Sequence, residues 1–496
     1  MIQTDHETDI DSEQNTSESD TDSSEENQNT ARRDAPSRPD ARRTQTSEKE
    51  GPAGMLSRLN SHLTGAWASD GSKRKQHQQT THRPARSLLT DRRGVSSIVG
   101  GLLLVVLISS LFVAAQAQLA PALQEQTEVT HSKQVIGDMM NVQTNIYLAA
   151  STGVPGTTTV KLGSNYPTYG FLFQPPGPGG TVNTSDSQTV TIVNAKATDP
   201  ETADYLDGSD ISVETQSLTY SPKYNEFDNP PRATVGFGSL WLSYPRSQSN
   251  IRTSTGIVSG QNLILTTIRG DLRYESTLST QLVVEPLSAG PTQVPVEADS
   301  GHIKYRIQTE LTEEQWETIL ETEIDSDTNA GDATDGDERF IAEVTMDTTT
   351  NPNTAVIHLE KGVTYNLNMN KIGVRRGTQA SSGGVPDTKY ITPEGVNDPS
   401  MIEESEKQLT VTVRDEYNNP VSGVTVRAIP ESGSVGQEER DTDSDGQATF
   451  TYTSPEVATS VADSDGAEVE VTVKIKDTTA AAKKIDYQVT IKNAYD

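Results

Sequence analysis

Cysteine is absent from the 496 residues. That removes disulfide frameworks, thiolate metal sites and cysteine nucleophiles together. Aromatic residues are scarce at 5%, and 40 Lys and Arg face 70 Asp and Glu, for a formal charge of -30. Nucleic acid is excluded as a partner, because a polyanion requires clustered Lys and Arg. The seven histidines form no HExxH pair, and neither a Walker A sequence nor a GxSxG nucleophile elbow occurs. The local signatures of zinc hydrolases, P-loop enzymes and α/β-hydrolases are therefore missing. Gly236 and Gly238 begin a glycine motif that Trp241 breaks at its third place. The chain is expected to be neither an enzyme nor a cofactor protein.

The first fifty residues lack what a core needs. Met1, Ile2, Ile10 and three alanines are their only apolar side chains, and no Lys or Arg precedes Arg32. Such a segment cannot offset its ordering entropy by burial, so residues 1–90 read as a disordered acidic and polar tail or leader. The acidic excess as a whole suits high salt, where a Debye length of about 3 Å at 1 M screens self-repulsion.

What the chain does contain is one long apolar run. Between Arg93 and Glu125 no side chain is charged, and Ile98 to Ala115 is apolar apart from small Gly and Ser residues. About 20 such residues cross the ~30 Å hydrocarbon core as a helix, so residues 91–120 are expected to span a lipid bilayer. Lys73, Arg74, Lys75, Arg83, Arg86, Arg92 and Arg93 precede the run, while Glu125 and Glu128 follow it. The positive-inside rule then leaves the N-terminus cytoplasmic and the remainder outside the cell.

Beyond the run, Val129, Ile136, Met139, Met140, Ile146, Tyr147 and Ala150 recur at helical spacing. They predict an amphipathic stalk helix over 121–152, bent at Pro121 and ended by Gly153 and Pro155. Its stripe packs either on the chain's own sheet or on a neighbouring subunit. Residues 153–374 carry short strand-like segments between Pro, Gly, Asn and Asp, and are expected to form an antiparallel β-rich ectodomain. One helix interrupts it, with Thr312 as N-cap, Gln315 three residues on, and Trp316, Ile319 and Leu320 following. Residues 375–404 read as a loop-rich linker. In 405–496 five segments alternate with period two, among them Leu409-Val411-Val413 and Val469-Val471-Val473-Ile475. That pattern predicts a β-sandwich. The fold class expected is thus mainly β, with an N-terminal transmembrane and stalk helix.

Three stretches carry resemblances. Arg93-Gly94-Val95-Ser96-Ser97-Ile98-Val99-Gly100, followed at once by the apolar run, resembles the class III signal of archaeal type IV pilins. The resemblance implies a prepilin peptidase cutting between Gly94 and Val95, with the apolar helix retained and other pilin-like subunits as partners. About 94 residues would precede that cut, so an internal start at Met55 and an uncleaved anchor both stay open. The phrases KLGSNYPTYGFLFQPPGPGGT, LTYSPKYNEFDNPP and LEKGVTYNLNMNKIGV resemble a haloarchaeal pilin-like surface protein family, which implies location and architecture. LTVTVRDEYNNPVSGVTVRA and TDSDGQATFTYTS resemble the Ig-like repeat of invasin- and intimin-type surface proteins, which implies an extracellular spacer or adhesive module. Cell-surface or envelope components are the partners implied. Adhesion or envelope structure is therefore expected, with a minor or tip pilus subunit, or a binding protein or enzyme with its site in 154–400, as alternatives.

Two acidic stretches hint at metal. Asp441, Asp443, Asp445 and Gly446 match the opening of an EF-hand loop, but Tyr452 stands where the bidentate Glu belongs, leaving weak calcium candidates. Asp325, Asp327 and Asn329 repeat the first ligand positions without the required glycine, and read as a solvated loop. Asn183-Thr184-Ser185 is a glycosylation sequon, expected in a polar loop on the outer side.

Overall fold

The computed structural model describes residues 93–168, 175–254, 256–325, 339–377, 379, 384, 387–456 and 466–493. The tail expected over 1–90 lies outside them, as do Asp327 and Asn329. The protein is mainly β behind one long N-terminal helix.

That helix, α1, spans Arg93–Thr152, 60 residues and about 90 Å at 1.5 Å per residue. It runs through Pro121 as one continuous element. Gly153 ends it with φ +67, and its N–H donates to the Ala149 carbonyl at 3.0 Å, a left-handed cap that favours glycine. Only the second half of α1 is packed. Gln124, Glu128, His131, Val135, Met139, Val142 and Ile146 form a buried stripe at 3.6-residue spacing, and the apolar members share a core with the sheets beneath. The stripe packs on the chain's own domain. It is rotated from the expected one: Met140 and Tyr147 are exposed, at 38% and 44%.

Three sheets build the segment expected as an ectodomain. The first has a central strand, Tyr365–Arg376, paired antiparallel to Ser279–Ser288, which in turn pairs Gly156–Lys161. On its other side that central strand is parallel to Asn262–Arg269, one of two parallel pairings in an otherwise antiparallel set. The second sheet runs Arg273–Ser276, Gly179–Thr184, Leu218–Lys223, Arg232–Gly236, Ser239–Tyr244, Ser247–Ser254. Together with the first it clasps α1 through Leu162, Val182, Leu218, Val235, Leu242 and Leu282. The third sheet, Ile341–Asp347, Asn353–Leu359, Lys304–Thr309, Gln188–Val193 and Ile211–Thr215, encloses the other ectodomain core with α3 (Glu313–Leu320). A four-residue helix, α2 (Pro200–Ala203), lies between its strands and is capped by the Asp199 carboxylate.

The box at the start of α3 forms as read: Gln315 N–H donates to Thr312 Oγ1 at 3.4 Å, and Thr312 N–H to Gln315 Oε1 at 2.9 Å. Trp316, Ile319 and Leu320 are buried beneath.

The C-terminal sandwich places Glu406–Asp415 and Gln447–Thr453 in one sheet, and Thr425–Pro430, Ala467–Ile475 and Lys484–Lys492 in the other. Leu409, Val411, Phe450, Val471, Tyr487 and Val489 fill the space between. The segment read as linker contributes to it. Thr388–Pro393 pairs with Glu406–Asp415, and Ser400–Ile402 runs parallel to Lys484–Lys492.

Candidate functional site

The most unusual chemistry lies along α1, whose two halves meet different surroundings. From Ile98 to Val113 every large apolar side chain points outward: Ile98 is 69% exposed, Leu102 63%, Ile108 57% and Val113 64%. Among the described residues this is the one helix long and apolar enough to cross a membrane. None of the described residues covers it, and water is a poor solvent for so much contiguous hydrocarbon.

The second half is seated by polar groups. Glu128 is fully buried on α1. Its Oε1 accepts the Tyr166 hydroxyl and the Asn225 N–H at 2.8 Å, while Oε2 accepts Glu226 N–H at 2.9 Å and Phe227 N–H at 2.6 Å. Four donors therefore converge on one carboxylate, and three are consecutive backbone amides of the loop 225–227. A buried charge is tolerable only with such saturation. Asn225 Nδ2 also donates to Tyr166 Oη at 2.8 Å, closing the cluster. Burial and the neighbouring Glu128 hold the Tyr166 hydroxyl well above the usual phenol range.

One turn further on, His131 bridges the same loop to the first sheet. Its Nε2 lies 2.9 Å from the Lys161 carbonyl and its Nδ1 2.8 Å from Tyr224 Oη. A carbonyl can only accept, so Nε2 carries the hydrogen and the neutral ring takes the Tyr224 O–H at Nδ1. Burial pushes the His131 pKa below its ordinary value, and burial raises the Tyr224 phenol to about 12. Asp138 completes the seat: its Oδ2 accepts Lys161 N–H at 3.0 Å, and burial raises its carboxyl. These residues bond to one another and to the backbone of distant segments. Their arrangement fastens a helix.

A second polar seam joins the C-terminal sandwich to the ectodomain. Asp415 Oδ1 accepts Tyr417 N–H at 2.8 Å and Asn419 N–H at 3.1 Å, shaping the loop between two strands. From that loop Asn419 Nδ2 donates to Ser288 Oγ at 3.0 Å and to the Met369 carbonyl at 2.9 Å. Tyr417 enters the ectodomain core. Tyr205 stacks on Tyr390 at 5.1 Å between centroids, and its hydroxyl donates to the Glu416 carbonyl at 3.2 Å.

The residues singled out in the sequence are not brought together. Arg93, Gly94 and Val95 open α1. Asp441, Asp443 and Asp445 are not gathered as a metal site: Asp443 Oδ1 is taken by the N–H groups of Asp445 and Gln447, each at 2.9 Å, and Asp441 Oδ1 by the Thr425 hydroxyl at 2.6 Å. Among the described residues no three His, Asp or Glu stand close enough to hold an ion. Asn183 is on the strand Gly179–Thr184, paired on both sides with Thr219 and Arg273, and not in the loop expected. The Glu128 cluster escaped the sequence reading. Its one signal was Glu128 and His131 spaced three apart, on the face that should have been apolar.

Comparison with known proteins bears on the C-terminal unit. Residues 403–490 match the family described as Bacterial Ig-like domain (group 1). The match agrees with the Ig-like reading of that unit. An uncharacterized protein of Archaeoglobus fulgidus is 24% identical over 342 residues, covering 67% of this chain and 53% of its own length. The chain thus spans about half of that relative. The D00-D0 domain of Intimin covers 39% of this chain and 89% of its own, at 14% identity and TM-score 0.19. Domains 4 and 5 of the S-layer protein SbsC cover 28% of this chain and 64% of their own, at 18% identity and TM-score 0.15.

Proposed function

We propose that the protein is a membrane-anchored, non-enzymatic cell-surface protein of archaeal pilin-like type, acting in adhesion or envelope structure. The observation that carries this reading is the division of α1. Residues 97–119 would span about 34 Å as a helix, enough for the ~30 Å hydrocarbon core, and their apolar side chains are uncovered. Immediately beyond, Glu128 and His131 fasten the same helix to the ectodomain. The basic flank before the run keeps the N-terminus in the cytoplasm, and the β ectodomain and Ig-like domain face outward. Cleavage between Gly94 and Val95 makes Val95 the mature N-terminus.

A minor or tip pilus subunit is the second reading, favoured by the same feature. The exposed half of α1 could be covered by equivalent helices of other subunits instead of lipid. The N-terminal residue of the protein from native membranes tests both. Val95 supports prepilin-type processing, and recovery in sheared filaments then favours the pilus subunit. An intact tail, or a start at Met55, ends the pilin reading and leaves an uncleaved anchor.

A further inference from the structure

The second sheet has two unlike faces. Val182, Leu218, Ala233, Val235 and Leu242 turn toward α1 and are buried. Successive strand residues point to opposite sides, so their neighbours form the other face. Register places Asn183, Thr219, Thr234 and Trp241 side by side across four strands. At about 4.8 Å between strands this row is roughly 14 Å long. Arg232 and Ser243 are register partners on the same face.

This face is not an open solvated surface. Gln188, Thr309 and Glu310 of the third sheet's strands and their ends overhang it, leaving a cleft of about 260 Å³. Phe237 and Trp241 form its apolar wall, and both are buried to within a tenth of their surface. Most of its other side chains are hydroxyls and amides. Arg232 and Glu310 bring opposite charges, and among the described residues neither side chain has an ion-pair or hydrogen-bond partner. Asn183 uses only its Nδ2, weakly, on the Thr184 carbonyl at 3.3 Å.

Several ligand classes fail on this chemistry. A phosphate or nucleotide needs net positive charge, which Glu310 offsets against Arg232. An apolar ligand would desolvate the Arg232 and Glu310 side chains without giving them partners, although most of the hydroxyls, such as Thr219 with Thr234 and Ser243 with Ser249, are paired within the protein. An uncharged polyhydroxyl ring satisfies both requirements, offering donors and acceptors along its edge and C–H groups toward an aromatic wall. The volume lies just under the roughly 300–1,000 Å³ of pockets for drug-sized ligands, so the occupant is small.

We propose that this cleft binds a neutral saccharide unit, with Asn183 and Arg232 supplying hydrogen bonds to its hydroxyls. Asn183 then acts as a binding group, not as a glycan acceptor. The inference deepens the adhesive reading yet fails separately from it: an anchored protein can lack the binding, and binding survives if the anchor reading falls.

The test uses the full chain in detergent, titrated calorimetrically with methyl α-glucoside, methyl α-mannoside and methyl β-galactoside, with glucuronate as charged control. Binding of at least one neutral glycoside is expected, weakened roughly tenfold by Asn183→Ala and by Arg232→Gln at unchanged melting temperature, the loss of about one hydrogen bond each. Absence of binding by all three glycosides at millimolar concentration overturns the proposal, as does binding confined to glucuronate. Binding indifferent to both substitutions overturns it too. So does a glycan found covalently on Asn183 of the native protein by peptide mass spectrometry, because it would fill the cleft.

Discussion

The carboxylate of Glu128 holds the backbone N–H of Phe227 at 2.6 Å, across a sequence separation of 99 residues. This contact and its three companions fix where α1 stops being free and becomes part of the ectodomain. Replacing Glu128 with Gln puts an amide N–H₂ against backbone donors and leaves at least one buried N–H unpaired. A loss of about 1–3 kcal/mol is expected, measured by chemical denaturation. Faster amide exchange at residues 225–227 should accompany it.

His131 makes the seat sensitive to acid. Burial holds its folded-state pKa below 6.5, so the unfolded chain binds the proton more readily than the folded one. Stability is therefore fully present above about pH 6.5 and falls as pH drops from there toward the lowered value. Melting temperature measured between pH 8 and pH 5 should decline through that window. His131→Gln should flatten that part of the decline.

Asn419 is the most directly testable tie between the Ig-like domain and the ectodomain. Asn419→Ala deprives Ser288 Oγ and the Met369 carbonyl of their donor. A cost of about 1–3 kcal/mol is expected. Limited proteolysis should cut the connector near residues 377–387 sooner than in the parent protein.

Trp316 is fully buried at the centre of α3, with its indole N–H on Thr309 Oγ1 at 3.3 Å. Truncation to Ala removes a large apolar volume and one of the two donors to that hydroxyl, the Leu311 N–H remaining at 3.1 Å, for about 3–5 kcal/mol of destabilisation by denaturant titration. Substituting Asp443 with Ala should leave any calcium response of the melting temperature unchanged, since its Oδ1 is already spent on two backbone N–H groups.

The parts of this fold that were legible in the sequence are those where one physical signal acted alone. The Ig-like strands alternate strictly because one face is buried and the other wet, as in Gln447–Thr453. The α3 box is local chemistry and needs no tertiary partner. The second sheet was mostly missed for the opposite reason. Its face away from α1 is mostly Ser, Thr and Asn, with Arg232 and Trp241, and Gly179, Gly180, Pro222 and Gly236 sit within its strands, so local propensity reads as loop while tertiary pairing makes strand. Ile211 to Thr219 looks like one strand by local pattern but is two, divided at Gln216 and Ser217, where the Gln216 N–H turns to the Ile268 carbonyl. The stripe of α1 was misplaced because apolar residues alone were counted. Glu128, His131 and Gln143 occupy buried positions through hydrogen bonds to distant segments, which no window of sequence contains.

The loop at Asn419 has a mechanical meaning for a pull between the Ig-like domain and α1. Asn419 grips Met369 in the strand Tyr365–Arg376, and that strand's neighbour, Ser279–Ser288, lies against α1 with it. Tension applied at the Ig-like domain is therefore shared with the strand Tyr365–Arg376 and passed sideways along its ladder of hydrogen bonds to the helix, instead of being borne by the covalent chain alone. A pull between the Ig-like domain and α1 thus runs through side-chain and ladder hydrogen bonds as well as through the backbone.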